Sequence, residues 1–153
     1  MPAQRLKQFL DENGVKYVTI THSPAYTAAE IAHSAHIPGK DLAKTVIVAL
    51  DGKMTMAVLP ANCQIDFDRL KKASGASKAQ LAAEGKFQDA FPGCELGAMP
   101  PFGNLYGIDV LVAKPLSENE EIAFNAESHT ELIKLAYKDF ERLVSPKVVE
   151  ICC

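Results

Sequence analysis

The residues best suited to chemistry lie in a short loop rich in glycine and proline. It runs Gly97-Ala-Met-Pro-Pro-Phe-Gly103. The prolines fix φ and remove two backbone donors, while the glycines permit conformations closed to other residues, so the segment is predicted to be neither helix nor central strand. Free backbone N–H groups beside Gly97 are suited to hold a carbonyl or phosphate oxygen, because a side chain there would block close approach. The alternative is a proline-rich turn between two core elements.

A second candidate is Lys44, which directly precedes the apolar segment Thr45–Leu50. This segment is rich in valine and isoleucine, which is typical of a strand buried on both faces. Lys44 is therefore expected at the head of that strand, where its cation would emerge at the rim of the sheet and could bind a ligand. The alternative is a solvated lysine without a functional role.

Histidine and cysteine suggest two further kinds of site. His33 and His36 could share a helix face, but no other residue with ligand spacing completes a shell, so no metal is predicted. Cys94 and His129 could form a thiol nucleophile and its base, which keeps a cysteine-dependent hydrolase of a small ester or thioester as an alternative. The sequence has no serine-hydrolase elbow, P-loop or dinucleotide-binding glycine motif, and no cofactor is predicted.

Size and composition place these residues in a globular protein. A chain of 153 residues that is 48% hydrophobic can bury a core as one domain, and no apolar run is long enough to span a membrane. The N-terminus lacks the layout of a signal peptide, so the cytoplasm is the expected location, and the cysteines are expected to be free thiols. The net charge of −3 disfavours a dedicated nucleic-acid coat protein but allows a local basic patch.

Helix and strand patterns alternate along the elements that must position these residues. Apolar residues at helical spacing, together with cap and stop signals, predict helices over Arg5–Asn13, Ala28–His36, Asp66–Ala73, Ser77–Phe91 and Lys138–Leu143. Apolar or alternating runs predict strands over Tyr17–Thr21, Thr45–Leu50, Met54–Leu59, Ile108–Ala113, Ile122–Asn125, Thr130–Tyr137 and Val148–Ile151. The turn signal Asp51-Gly52 predicts a hairpin at the centre of the sheet. The order of elements predicts a single mixed α/β or α+β domain over residues 1–153, built around one curved sheet.

Three segments occur together in an order and spacing that resembles the YbaK/prolyl-tRNA synthetase-associated editing domain family. They are Leu42-Ala-Lys-Thr-Val-Ile-Val48, the loop Gly97–Gly103, and Ile122-Ala-Phe-Asn-Ala-Glu-Ser-His129. The resemblance extends from the first predicted helix to Pro146 and implies one α/β domain with a mixed, barrel-like sheet flanked by helices. Freestanding members are trans-acting deacylases of wrongly charged tRNA. The resemblance therefore implies such an activity here, with the acceptor end of mischarged tRNA and an aminoacyl-tRNA synthetase as partners.

The resemblance also implies roles for individual residues. Lys44 would lie beside the acceptor end, and Gly97 would offer its backbone to the aminoacyl carbonyl and a water molecule, so these two are the expected catalytic residues. The other matched positions would bind substrate, and they are Thr45, Ala98, Met99, Pro100, Pro101, Phe102, Gly103, Asn125, Ala126 and His129. The terminal hydroxyl of the tRNA can assist the water, so the mechanism does not require a catalytic triad.

Bulky side chains in the matched motifs predict a small pocket, and therefore a small amino acid as the group that is hydrolysed from the tRNA. Synthetases separate amino acids that differ by one methylene by only ~1–3 kcal/mol, so smaller analogues are charged in error and a second pocket must remove them. Met99, Phe102 and His129 are large enough to wall a small pocket. Such a pocket would admit alanine or serine, as on alanyl-tRNA for proline, and exclude larger residues.

Two positions depart from the family pattern. Glu127 stands where many members have glycine, which brings a carboxylate near a site expected to meet phosphate. This keeps a non-catalytic module that binds a tRNA acceptor end or an aminoacyl group as an alternative. Thr45 stands where members that act on alanyl-tRNA for proline commonly have asparagine, although His129 matches a histidine of that group.

Overall fold

One mixed β-sheet organises the protein in a computed structural model that describes residues 4–21, 37–82, 99–126 and 130–152. Its strands are β1 (Tyr17–Thr21), β2 (Leu42–Leu50), β3 (Lys53–Pro60), β4 (Ala79–Leu81), β5 (Val110–Ala113), β6 (Glu121–Asn125), β7 (Glu131–Ala136) and β8 (Lys147–Val149). The helices of the described residues are α1 (Gln4–Glu12), α2 (Phe67–Ser74), α3 (Lys114–Ser117) and α4 (Tyr137–Val144), and none of them is long and apolar enough to cross a membrane.

The strands follow the order β1-β7-β6-β2-β3-β5-β8, and β4 pairs with β2. The pairs β2–β6, β3–β5 and β5–β8 are parallel, whereas the remaining pairs are antiparallel. The described chain thus forms one mixed sheet together with helices, which confirms the predicted α+β domain. The predicted helix Ala28–His36 lies outside the described residues.

The central hairpin formed by β2 and β3 confirms the prediction from Asp51-Gly52. The two strands pair continuously from Ala43 opposite Pro60 to Leu50 opposite Lys53. Asp51 and Gly52 have φ values of 51° and 85°, and positive φ at both positions is the conformation that matches a tight turn to the twist of its strands.

The segment predicted as a helix over Ser77–Phe91 is a strand in its described part, so that prediction was wrong there. The Asp51 carboxylate accepts hydrogen bonds from the backbone N–H groups of Ser77 at 3.1 Å and Lys78 at 2.8 Å. These bonds direct the next residues onto the open edge of β2, where Ala79–Leu81 forms β4. A carboxylate far away in sequence and an unpaired strand edge therefore outweigh the local helical preference.

The two faces of the sheet carry separate parts of the core. Ala43 and Ile47 of β2 belong to a cluster with Phe102, Phe124 and Phe140, and we call this side the phenylalanine face. The alternate residues of β2 point to the other side, as strand geometry requires. There Val46 and Val48 pack with Leu70 of α2, and we call this side the α2 face. Its continuation towards β6 and β7 is a small cluster of Leu42, Ala123 and Leu132.

Candidate functional site

Lys44 lies within β2 and not at its head. The strand begins at Leu42 because its first two residues pair in parallel with β6, and Lys44 itself pairs with Leu59 of β3. Alternation along the strand places its side chain on the α2 face, and the residue is half-buried. Within the described residues the Lys44 side chain makes no ion pair or hydrogen bond.

Among the described residues, Lys44–Val46 of β2 lack a strand partner on one side, and we call this unpaired stretch the gap. On this side of β2, β6 runs parallel to its first two residues, whereas β4 runs antiparallel to its last three. The two neighbours approach from opposite directions, and the last described contact of β4 is the bond from the Ala82 N–H to the Ile47 carbonyl at 3.0 Å. The described part of the chain provides no strand partner for Lys44–Val46 on this side.

Asn125, the last residue of β6, is next to Lys44 across this gap. Ala43 pairs with Phe124, so the following residues of the two strands, Lys44 and Asn125, are level with each other. Both lie on the α2 face, since Phe124 belongs to the phenylalanine face. The Oδ1 atom of Asn125 is buried and has no hydrogen-bond partner among the described residues. The backbone register therefore makes Lys44 level with Asn125, whose Oδ1 atom is buried.

The other described members of the predicted site lie on or towards the opposite side. Ala126 and Met99 belong to the cluster of the phenylalanine face, and Thr45 points to that side by alternation. The segment Met99–Gly103 is buried throughout, and its two prolines are part of this buried run. The described members of the predicted site are thus divided between the phenylalanine face and the α2 face of the sheet.

Phe102 is a core residue, which corrects the expectation that its side chain walls an open pocket. The residue is fully buried, and its ring lies 5.4 Å from Phe124, 5.6 Å from Phe140 and 6.2 Å from Phe9, measured between ring centroids. These contacts join the loop to β6, α4 and α1. Phe102 therefore fixes the position of the loop, and a contact with substrate would have to come from its neighbours.

Gly103 is tightly packed at the end of the loop. A Cβ atom at this position would lie 2.5 Å from the Ile108 carbonyl oxygen and 2.7 Å from Cγ2 of Val110. The carbonyl oxygen of Gly103 also accepts hydrogen bonds from the N–H groups of Tyr106 and Ile108, each at 2.9 Å. The glycine is required by close packing against the chain that leads into β5.

We expect Gly103→Ala to lower the free energy of unfolding by ~1–3 kcal/mol, because the Ile108 backbone must move to admit the methyl group. Urea unfolding measures this loss. Gly39→Ala is the matched control, since its Cβ would meet only Asn62 at 3.4 Å, and we expect almost no change there. Equal stability of the two variants would contradict the packing role.

Several predicted residues fall outside the described part of the chain, namely Gly97, Ala98, His129, Cys94, Glu127, His33 and His36. The positions of their neighbours are known. The Ala126 N–H donates to the Glu131 carbonyl at 3.0 Å. Met99, two residues after Gly97, is buried on the phenylalanine face.

The gap itself was not predicted, because it depends on which strands pair with β2. Clefts of about 550, 390 and 320 Å³ that described residues line contain none of the predicted site residues. Within the described ranges no three His, Cys, Asp or Glu side chains are arranged to hold a metal ion, and Cys63 is a free thiol.

The chain is similar to known proteins over most of its length. A model of the aminoacyl-tRNA editing domain matches residues 22–143. The chain is 29% identical to the multifunctional Ser/Thr-tRNA deacylase ProXp-y of Escherichia coli K12, over 95% of this chain and 90% of that protein. It is 27% identical to the prolyl-tRNA editing protein ProX of Acetoanaerobium sticklandii, over 88% of this chain and 85% of that protein.

Two solved structures share the fold. The hypothetical protein APE2540 superposes with a TM-score of 0.86 at 18% identity, over 98% of this chain and all (100%) of that one. A candidate trans-editing enzyme for prolyl tRNA synthetase superposes with a TM-score of 0.83 at 16% identity, over 99% of this chain and 96% of that one. At these identities the likeness shows the architecture alone.

Proposed function

The chain belongs to the aminoacyl-tRNA editing domain family and is an aminoacyl-tRNA deacylase, and we propose that it hydrolyses, in trans, tRNA mischarged with a small amino acid such as alanine or serine. The observation that carries this proposal is the position of Lys44, a half-buried cation at a gap in the sheet without an ion-pair partner in the described structure. Alanyl-tRNA for proline is one candidate substrate. Because the substrate is part of translation, we expect the reaction in the cytoplasm.

The reaction requires few protein groups. Water adds to the carbonyl carbon of the ester, the bond from this carbon to the ribose oxygen breaks, and the ribose oxygen takes a proton from the water. The products are the free amino acid and uncharged tRNA. Negative charge develops on the carbonyl oxygen, so a positioned water and groups that stabilise this oxygen supply most of the catalysis.

Lys44 is proposed to supply the positive charge in this site. Its ammonium group is a compact point charge that can approach either the ester or the adjacent phosphate of the acceptor end. Partial burial increases the strength of such an interaction over that in water.

Gly97 is proposed to hold the carbonyl oxygen and the water through its backbone. The support comes from its neighbours, because the buried segment Met99–Gly103 is fixed by the core and restricts where the preceding residues can lie. Thr45, Ala98 and Ala126 are proposed to contact the same substrate, together with the residues of the proline-rich loop.

A panel of mischarged tRNAs tests the proposed function. Purified protein is incubated with alanyl-, seryl-, threonyl- and cysteinyl-tRNA of the same tRNA, and released amino acid is measured. We expect hydrolysis of at least one, with the smaller amino acids fastest. A parallel reaction with Lys44→Met excludes a contaminating hydrolase. Absence of release from every substrate would reject the proposal.

His129 is proposed to limit the size of the accepted amino acid. We expect His129→Ala to raise kcat/KM for threonyl-tRNA relative to alanyl-tRNA by about tenfold, since the pocket would gain room for at least one methyl group. The ratio of the two rates is the measurement. An unchanged ratio would place the imidazole outside the pocket.

A further inference from the structure

The C-terminal end of α2 carries exposed lysines that the site beside the gap does not use. Lys72 lies in the last turn of the helix, and Lys78 follows Gly75, the residue that ends it. Both lysines are exposed, and neither forms an ion pair among the described residues. Lys147, at the start of β8, reaches the same turn, because its Nζ atom donates to the Ala73 carbonyl at 3.2 Å. We call Lys72, Lys78 and Lys147 the α2 lysines.

Two described carboxylates near this turn already have partners. Asp51 accepts hydrogen bonds from the backbone N–H groups of Ser77 and Lys78. Asp68 lies 3.5 Å from the Nζ atom of Lys71. Among the described residues, lysines therefore outnumber carboxylates around the end of α2, although the whole chain has a net charge of −3. This is a local basic patch of the kind that binds phosphate groups.

The opposite end of β2 carries the opposite charge. A cleft of about 390 Å³ lies at the start of β2 and β6, and its charged lining consists of four acidic and two basic side chains. These are Asp41, Glu118, Glu120, Glu121, Lys40 and Lys134. Lys134 is already paired with Glu121, at 3.7 Å. A polyanion that binds beside Lys44 is therefore repelled by the start of β2 and attracted towards the end of α2.

The α2 lysines are far from Lys44, on the same side of the sheet. Ala73 of α2 and Leu50, the last residue of β2, pack against the same cluster of the α2 face. Lys44 and Leu50 are six positions apart in β2, and a strand rises ~3.3 Å per residue, so the two backbone positions are ~20 Å apart. A ligand that contacts both regions must be much longer than an amino acid.

We propose that the α2 lysines bind phosphate groups of the tRNA body, and that the bound tRNA extends from Lys44 towards the end of α2. This inference rests on the proposed function, which places the aminoacyl ester at Lys44. Every nucleotide adds a phosphate, so the tRNA presents a row of negative charges long enough to join the two regions. Lysine suits such contacts, because it binds phosphate as a point charge and positions the nucleic acid without reading its bases. A membrane surface also attracts lysines, but it has no connection to the ester at Lys44.

Binding of uncharged tRNA tests these contacts without requiring hydrolysis. The double variant Lys72→Gln/Lys78→Gln removes two charges from exposed side chains and keeps most of their length. We expect its dissociation constant at ~0.1 M salt to rise about tenfold or more, because two fewer phosphates are neutralised. The slope of the logarithm of the binding constant against the logarithm of the salt concentration should fall in magnitude by about 1 for each lysine, and thus by about 2 in this variant. Lys147→Gln should lower it by about 1.

Lys16→Gln/Lys138→Gln is the matched control. Both lysines are exposed, and they lie next to β1 and β7, at the other edge of the sheet from β8. The control removes the same net charge and should change neither the dissociation constant nor the slope.

A purely structural role of the α2 lysines gives a different result. Cations near the end of a helix stabilise it, so this role predicts a lower free energy of unfolding in the double variant with an unchanged salt slope. That result, or an equal loss of binding in the control, would overturn the proposal. Binding of the wild-type protein to vesicles that contain phosphatidylserine, without salt-dependent binding to tRNA, would assign the lysines to a membrane and overturn it as well.

Deacylation separates failure of these contacts from failure of the proposed function. Two substrates carry the same amino acid, one on tRNA and one on adenosine alone, which is too short to reach α2 from Lys44. In Lys72→Gln/Lys78→Gln the ratio of kcat/KM for the tRNA substrate to that for the adenosine substrate should fall about tenfold, through a higher KM for the tRNA. An unchanged ratio would overturn the contacts. Hydrolysis of neither substrate by the wild-type protein would reject the deacylase function, and the binding of uncharged tRNA then decides whether the α2 lysines bind phosphate.

Discussion

Replacing Lys44 with methionine is expected to lower kcat/KM for deacylation by about 100-fold or more, because a charge that stabilises the reacting oxygen typically contributes that much. Methionine keeps the length of the side chain in the half-buried strand position. No described ion pair is lost, so the free energy of unfolding should change by less than ~0.5 kcal/mol. Single-turnover hydrolysis and urea unfolding measure the two quantities on the same preparation.

Lys53 provides the matched control for this experiment. It belongs to the same hairpin, but it is exposed and its Nζ atom lies 2.9 Å from Oδ2 of Asp109. Lys53→Met should retain wild-type activity, because Lys53 is at the end of the hairpin remote from the gap. It should also retain wild-type stability, because an exposed ion pair contributes little to the free energy of unfolding. Lys44→Arg keeps the charge in a wider, planar group and should recover only part of the activity. Full activity of Lys44→Met would assign Lys44 to a solvated position without a role.

Phe102→Ala is expected to lower the free energy of unfolding by ~3–5 kcal/mol. Its ring contacts Phe9, Phe124 and Phe140, and the residue is fully buried, so truncation removes contacts with three elements and leaves a cavity. Urea unfolding with a fixed m-value measures the loss. A loss below ~1 kcal/mol would contradict the role of Phe102 as the anchor of the loop.

Two further variants separate stability from activity. Phe67→Ala removes a half-buried ring from the α2 face and should cost less than half as much, because less apolar area is involved. Phe102→Leu keeps most of the volume and should cost less than ~1.5 kcal/mol. At a temperature where Phe102→Leu is folded, we still expect slower deacylation, because this variant lacks the aromatic ring that fixes the buried segment Met99–Gly103.

Local signals in the sequence determined most of the secondary structure. The turn Asp51-Gly52 predicts the hairpin because both residues tolerate positive φ, and the structure has both at positive φ. Asp66 and Gly75 predict the two ends of α2. The Asp66 carboxylate accepts hydrogen bonds from the backbone N–H groups of Asp68 and Arg69 at the start of the helix. Gly75 ends the helix with a φ of 75°. Such signals are readable because both partners of each contact are close in the chain.

The sequence also determined the family through three ordered motifs, but it could not determine how their side chains are arranged. The pairing of Ala43 with Phe124 joins residues about eighty positions apart and places Lys44 level with Asn125. The burial of Phe102 likewise depends on rings from three other elements.

The position of the gap was decided by tertiary structure alone. Asp51 and the open edge of β2 converted a predicted helix into β4, and this strand closes one end of the gap. Local propensities differ by less than ~1 kcal/mol per residue, so long-range hydrogen bonds and strand pairing override them where both are available. For this reason Lys44 and Asn125 could be selected from the sequence as candidates, whereas the strand register that makes them level with each other was visible only in the folded chain.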